Sequence, residues 1–214
     1  MPVKLHYFDA RGAAEPIRLL FAFANHPYED VRYQLQNDEN WAKFKPQTPF
    51  CALPVLENTD LNVKLAQTST ILRMVGQKCG LAGSESDHCE RAMIDMYTTG
   101  IIEDWRPKFI GALMSVMQKG KDAPETKAAI KEALEKLKPN MECYNKRLAD
   151  CGTGFVVGSK VSVADIVLFN ISWTLQDLDP CALDPYPKLK EHKDKMACQP
   201  GIKEWLEKRP KTPF

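Results

Sequence analysis

The sequence predicts a mixed α/β domain followed by an all-helical domain. Three observations carry this reading. Period-two alternation of apolar residues is confined to the first eighty positions, where helical spacings interrupt it. Gly80 to Asp87 (Gly-Leu-Ala-Gly-Ser-Glu-Ser-Asp) is a linker by composition. Beyond it, apolar residues recur every three or four positions, as on helices. The expected domains are therefore 1–79 and 87–214.

Val3, Leu5 and Tyr7 alternate with Lys4 and His6, which reads as a strand. Arg11-Gly12-Ala13-Ala14 reads as a turn. Pro16 then stands where the first turn of a helix tolerates it, and Ile17, Leu20, Phe21 and Ala24 follow at helical spacing. Tyr28 to Tyr33 is a second short strand. Leu53-Pro54-Val55-Leu56 and Val63-Lys64-Leu65 bracket Asn58-Thr59-Asp60 as a hairpin. A helix is expected from about Thr68 to Lys78, giving β-α-β and then β-β-α, a mixed four-stranded sheet. In the second domain Ile130, Leu134, Leu137, Met141, Tyr144 and Leu148 form one amphipathic face, ended by Cys151-Gly152-Thr153-Gly154. The stretch from Ile166 to Leu175 is apolar almost all round and must be central. Ser162-Val163-Ala164-Asp165 is a capping box at its start. A last helix is expected within Pro200 to Lys208.

Composition narrows the function classes. The chain has 214 residues, 44% of them hydrophobic and 27% charged, with a formal net charge of +1. Such a balance gives no global field for nucleic acid or an anionic membrane, and no apolar run is long enough to span a bilayer. The N-terminus lacks the apolar core of a signal peptide. The seven cysteines are scattered, with no C-x-x-C pair and no zinc spacing. Reduced thiols in the cytoplasm are expected, each Cys most simply a small buried residue.

Lys4-Leu5-His6-Tyr7-Phe8, then Arg11-Gly12 and Glu15, resembles the opening of the glutathione transferases that use a catalytic tyrosine. Leu53-Pro54 looks like the cis-proline element of that family, and Gln67-Thr68 like its γ-glutamyl-binding pair. Glu90 to Tyr97 is similar to the start of the alpha-class helical domain. The Ser162–Asp165 box and the tail Lys208 to Phe214 complete a resemblance that covers the whole chain, sigma-class or alpha/sigma-like. It implies a thioredoxin-like first domain that binds glutathione, and a helical second domain contributing the electrophile site. It also implies a homodimer. No cofactor is implied, glutathione being a co-substrate. Two positions depart from the pattern: Ala13 stands where a second arginine is common, and Ala52 where Lys or Gln is.

Conjugation needs a thiolate. A free thiol has a pKa of about 8.5, and lowering it by about two units takes roughly 2.7 kcal/mol of preferential anion stabilisation. Tyr7, at a strand end before a helix, is the implied donor. Trp41 and Lys45, four apart on one helical turn, could meet the glycyl carboxylate, or be a half-buried Trp and a surface Lys. Leu53 could offer its backbone to the cysteinyl unit as a strand does. Gln67 and Thr68 stand at a helix N-terminus, an anion site, with Thr68 alternatively a simple N-cap. Arg11 would assist Tyr7 or hold the domain interface. Glu103, or its neighbour Asp104, would reach the glutathione ammonium across the dimer. Phe8, Trp105 and Phe214 are walls for a small hydrophobic electrophile, or aromatic core. The resemblance allows isomerase or peroxidase activity as well. The competing class is a non-catalytic relative, a ligand carrier or lens-type structural protein. A thiol reductase of the omega type would need Cys near position 7, where Phe8, Asp9 and Ala10 stand.

Overall fold

The computed structural model describes residues 3–58 and 62–212. Two compact units result: residues up to Cys79 together with those from Pro200 onward, and Gly80–Gln199.

The first unit contains β1 (Val3–Phe8), α1 (Glu15–Phe23), β2 (Tyr28–Tyr33), α2 (Glu39–Phe44), β3 (Val55–Asn58), β4 (Val63–Ala66), α3 (Thr68–Lys78) and α9 (Pro200–Lys208). The sheet order is β2-β1-β3-β4. β1 pairs parallel with β2 and antiparallel with β3, and β3 pairs antiparallel with β4. This is the expected mixed sheet of a thioredoxin-like unit. The turn residues proposed for the β3–β4 hairpin, Thr59 and Asp60, lie outside the described residues.

Strand alternation assigns the faces of β1. Leu5 and Tyr7 share one face, and Arg18 of α1 reaches the Tyr7 ring. His6 and Phe8 share the other, meeting Phe44 and Trp41 of α2. Helix α2 is announced by Asp38, whose carboxylate accepts the N–H of Trp41 at 2.9 Å and of Gln34 at 2.7 Å. Those two bonds hold the Asp38 carboxyl below its ordinary pKa. Ile17, Leu20, Ile71 and Leu72 are buried where α1 and α3 pack. Each such side chain stabilises the fold by about 1.5–3 kcal/mol.

The boundaries differ from those expected in two ways. Helix α9 belongs to the first unit, because Trp205 Nε1 and Arg209 Nη1 donate to the Glu15 carboxylate at 2.9 and 2.8 Å. Gly201 also lies so close to the Ala22 carbonyl that a Cβ there would collide with it. The expected linker residues belong to the helical unit: Leu81 is buried, and its carbonyl accepts the Val163 N–H at 2.9 Å.

The second unit holds α4 (His88–Gly100), a wide π turn (Ile101–Trp105), α5 (Arg106–Lys119), α6 (Pro124–Cys151), α7 (Val163–Leu178) and α8 (Pro187–Ala197). The π turn has a local cause. Pro107 has no N–H, and its ring would clash with the carbonyl of Glu103 in a regular helix. Helix α6 buries Ile130, Leu137, Met141, Tyr144 and Leu148 on its expected face, and ends at Gly152 with φ 68°. The Ser162 box forms at the start of α7. Its centre is Asp165, fully buried, which accepts from the Ser162 N–H (2.8 Å), the Ser162 hydroxyl (2.7 Å) and the Val156 N–H (2.8 Å). His192 of α8 lies 3.1 Å away through Nε2. None of the seven cysteines is buried, contrary to expectation, and all are free. Among the described residues no helix is long and apolar enough to cross a membrane.

Candidate active site

Strand register gathers the expected residues at one end of the sheet. Val55 pairs with both His6 and Ala66. One or two steps further along the three strands come Tyr7 on β1, Leu53 and Pro54 before β3, and Gln67 and Thr68 after β4. Phe8 pairs with Tyr33 at the same end of β2, and the chain from Tyr33 leads into α2 with Trp41. Residues from four separate stretches of sequence thus converge at this sheet end by hydrogen-bond register alone.

Tyr7 is buried, and its hydroxyl accepts the N–H of Ala13 at 3.0 Å. That bond occupies an acceptor site and leaves the hydroxyl hydrogen free to be donated. Accepting one hydrogen bond also strengthens the hydroxyl as a donor. Gly12 makes the approach feasible: its φ is +42°, and a Cβ there would lie 2.5 Å from the Tyr7 hydroxyl. The Ala13 carbonyl in turn accepts from the Thr68 hydroxyl at 3.2 Å, tying the start of α3 to this turn. Ala13 therefore contributes its main chain where only its missing side chain was considered.

Gln67 is the N-cap of α3 with φ 72°, and Thr68 is the first helical residue, so Thr68 is not the cap. Its hydroxyl bonds to Ala13. The α3 N-terminus carries the partial positive charge suited to a carboxylate. Leu53–Pro54 is cis, and Leu53 lies past the end of the β3 ladder. Trp41 is half-buried with its ring on Phe8 and Tyr33, each at 5.7 Å, and Lys45 is exposed. Phe8 packs edge-on to Tyr7 at 5.8 Å. Arg11 is partly exposed, and its carbonyl accepts the Glu15 N–H at 2.9 Å.

A charged network supports the turn that carries Ala13. Arg18 is 0% exposed. Its Nη1 donates to the carbonyls of Ala10 at 2.7 Å and Arg11 at 3.4 Å, and its Nε to Asp30 at 3.1 Å. Its guanidinium carbon is 5.8 Å from the centre of the Tyr7 ring, a cation–π contact. Arg32 bridges Asp30 and Asp9 at 2.8 and 3.0 Å. Burial works against the Arg32 charge, but these carboxylates outweigh it and raise its pKa above the ordinary value. On the opposite face His6 Nδ1 meets the Tyr33 hydroxyl at 2.9 Å and His6 Nε2 meets Glu57 at 3.2 Å. Burial lowers the His6 pKa, partly offset by Glu57. Burial also pushes Tyr33 up to about 12, with the charges of Asp38 and Glu57 adding to it.

In the helical unit Glu103 and Asp104 are both exposed on the π turn. Trp105 corrects an expectation. It is 0% exposed, with its ring edge-on to Tyr144 at 5.1 Å, so it is core and offers no wall to an electrophile. Phe214 lies outside the described residues. Arg18 escaped the sequence reading, although a signal existed: a lone charge among Ile17, Leu19, Leu20 and Phe21 has no polar face to occupy.

A four-stranded mixed sheet with a cis-proline element and a polar helix N-terminus at one end, followed by a helical unit, defines a thioredoxin-like protein. Comparison with known proteins carries this further. Residues 3–77 match the glutathione S-transferase N-terminal domain family, and residues 103–209 match the glutathione S-transferase C-terminal domain family. The chain is 34% identical over 209 residues to glutathione S-transferase 4 of Caenorhabditis elegans, covering 96% of each chain. It is 35% identical over 214 residues to glutathione S-transferase 1 of Ascaris suum, covering 99% of this chain and 98% of that one. A solved structure of a monomeric glutathione S-transferase from the hookworm Necator americanus superposes with a TM-score of 0.87 at 32% identity, covering 100% of both chains. The chain therefore belongs to the glutathione S-transferase family and is an enzyme of that type.

Proposed function

We propose that the protein activates the thiol of glutathione for attack on small hydrophobic electrophiles, with Tyr7 as the donor to the thiolate. The observation that carries this reading is the Ala13 N–H on the Tyr7 hydroxyl, which directs the hydroxyl's hydrogen outward to an acceptor. The helix N-terminus at Gln67 and Thr68 receives the γ-glutamyl carboxylate. Leu53 pairs with the cysteinyl backbone, and Trp41 and Lys45 meet the glycyl end. Phe8 borders the thiol. Turnover of a chromogenic aryl halide with glutathione tests the activity. Loss of turnover in Tyr7→Phe supports the assignment, and unchanged turnover refutes it.

The finer reading is a sigma-like cytoplasmic enzyme that works as a homodimer, with Glu103 of each copy completing the other's glutathione site. The exposure of Glu103 on the π turn and of Met96 (57%) on α4 supports it. The Necator americanus protein is described as monomeric, which makes sedimentation the deciding measurement. A mass near one 24.2 kDa chain at micromolar concentration would defeat the dimer.

A further inference from the structure

We propose that Glu15, locked by Trp205 of α9 and by Arg209 just beyond it, is a positioning residue for Tyr7. This inference rests on the reading of Tyr7 as the thiolate donor.

The argument runs through one shared donor. Glu15 is 1% exposed. One of its carboxylate oxygens, Oε1, takes two bonds from the end of the chain: Trp205 Nε1 of α9 at 2.9 Å and Arg209 Nη1, just past α9, at 2.8 Å. The other, Oε2, stands 3.5 Å from Arg18 Nη1, a looser pairing. That same Nη1 is 2.7 Å from the Ala10 carbonyl. Arg18 Nη1, with two hydrogens, thus serves both the carboxylate and the turn that leads to Gly12 and Ala13, through the carbonyls of Ala10 and Arg11, and it lies closest to that of Ala10. The charge of Arg209 on Glu15 sets this division. Without it, a buried carboxylate keeps one cation within reach and draws Arg18 inward, because an unpaired buried charge is costly. The Ala10 carbonyl loses its donor and the turn relaxes. The Ala13 N–H then no longer fixes the Tyr7 hydroxyl, which sits against Gly12 with no room to spare. A catalytic hydroxyl displaced by a fraction of an ångström loses part of its preference for the anion.

Arg209 is the residue to perturb, since its side chain is 14% exposed and at the rim of the network. In Arg209→Met the acidic limb of the pH profile of kcat/KM should move up by about 0.5–1 unit. The rate at pH 6.5 should fall about two- to fivefold, while the calorimetric Kd for glutathione at that pH changes less than about twofold, because no residue assigned to hold glutathione is replaced. Arg209→Lys keeps a cation on Glu15 and should restore most of the shift. Glu15→Gln retains an acceptor for Trp205 but not the charge that draws Arg18, so in a Glu15→Gln background Arg209→Met should no longer move the limb. In a Tyr7→Phe background Arg209→Met should produce no further shift, since both act through one hydroxyl. A fall in melting temperature with the pH limb unmoved would overturn the proposal, as would a full shift in the Tyr7→Phe background. If Tyr7→Phe itself leaves the limb in place, the Tyr7 reading fails and takes this inference with it. If Tyr7→Phe moves the limb and Arg209→Met does not, only the inference fails.

Discussion

Tyr7→Phe removes one oxygen atom, and the structure separates its two consequences. The first is on stability. The hydroxyl accepts the Ala13 N–H at 3.0 Å in a buried position, and losing such a neutral bond costs about 0.5–1.5 kcal/mol. For a chain of this size that lowers the melting temperature by about 2–4 °C per kcal/mol. The second is on chemistry. If Tyr7 supplies the whole of a two-unit drop in the thiol pKa from about 8.5, the thiolate fraction at pH 6.5 falls from about one half to about one hundredth without it. The expected deficit is thus up to about fiftyfold at pH 6.5, and it closes above pH 9, where glutathione ionises unaided. Initial rates with a chromogenic aryl halide at saturating glutathione, from pH 6 to 9.5, measure it. A deficit of equal size at every pH would refute thiolate stabilisation by Tyr7, because a displaced substrate loses rate without regard to pH.

Three further outcomes are expected. The Gln67→Ala, Thr68→Ala double variant should weaken glutathione binding by about 1–3 kcal/mol in calorimetry; wild-type affinity would mean the γ-glutamyl group is held elsewhere. Ser162→Ala should cost about 1–2 kcal/mol, since the serine hydroxyl serves Asp165 as well as the helix end; an unchanged urea midpoint would contradict that. Burial lowers the folded pKa of His6 below the ordinary 6.5, partly offset by Glu57. The unfolded chain then binds the proton more readily, and stability should decline as pH falls below about 6.5. His6→Gln should flatten that decline, and equal slopes in urea titrations at pH 5.5 and 7.5 for both proteins would exclude it.

Local signals were legible in the sequence and distant pairings were not. The helix from Thr68 to Lys78 and the strand from Tyr28 to Tyr33 follow from short-range pattern, and the structure reproduces those bounds. The face of α6 is equally plain, because seven turns of period 3.6 leave little ambiguity. Helix α2 was read only as a helical turn shared by Trp41 and Lys45, without bounds, although Asp38 carries the cap that starts it. Resemblance supplied Tyr7, Gln67 and Thr68 as candidates, and the structure sets them at one end of the sheet. What they touch was not legible. Thr68 reads as a cap until the Ala13 carbonyl, 55 positions away, claims its hydroxyl. Trp105 sits between two acids and a basic residue in sequence, which left wall and core both open, yet at the end of the π turn it is fully buried. Glu15 was noted only as part of the opening motif and Arg18 not at all, since nothing local announces partners near the other end of the chain.

The separation of Glu15 from those partners, 190 residues to Trp205 and 194 to Arg209, has a consequence during synthesis. Most of the first unit is encoded in the opening 79 residues and leaves the ribosome early, but the two closer partners of its buried carboxylate are not made until the end of the chain is. At about 5–20 residues per second that is a wait of about 10–40 s. Throughout it the nascent α1 carries an acid that belongs in the interior, with Arg18 as its nearest cation. The opening segment therefore ripens in two stages, sheet first and acid last. Truncated chains that stop before Trp205 remain at the first stage, distinguishable from finished protein by their faster amide exchange along α1.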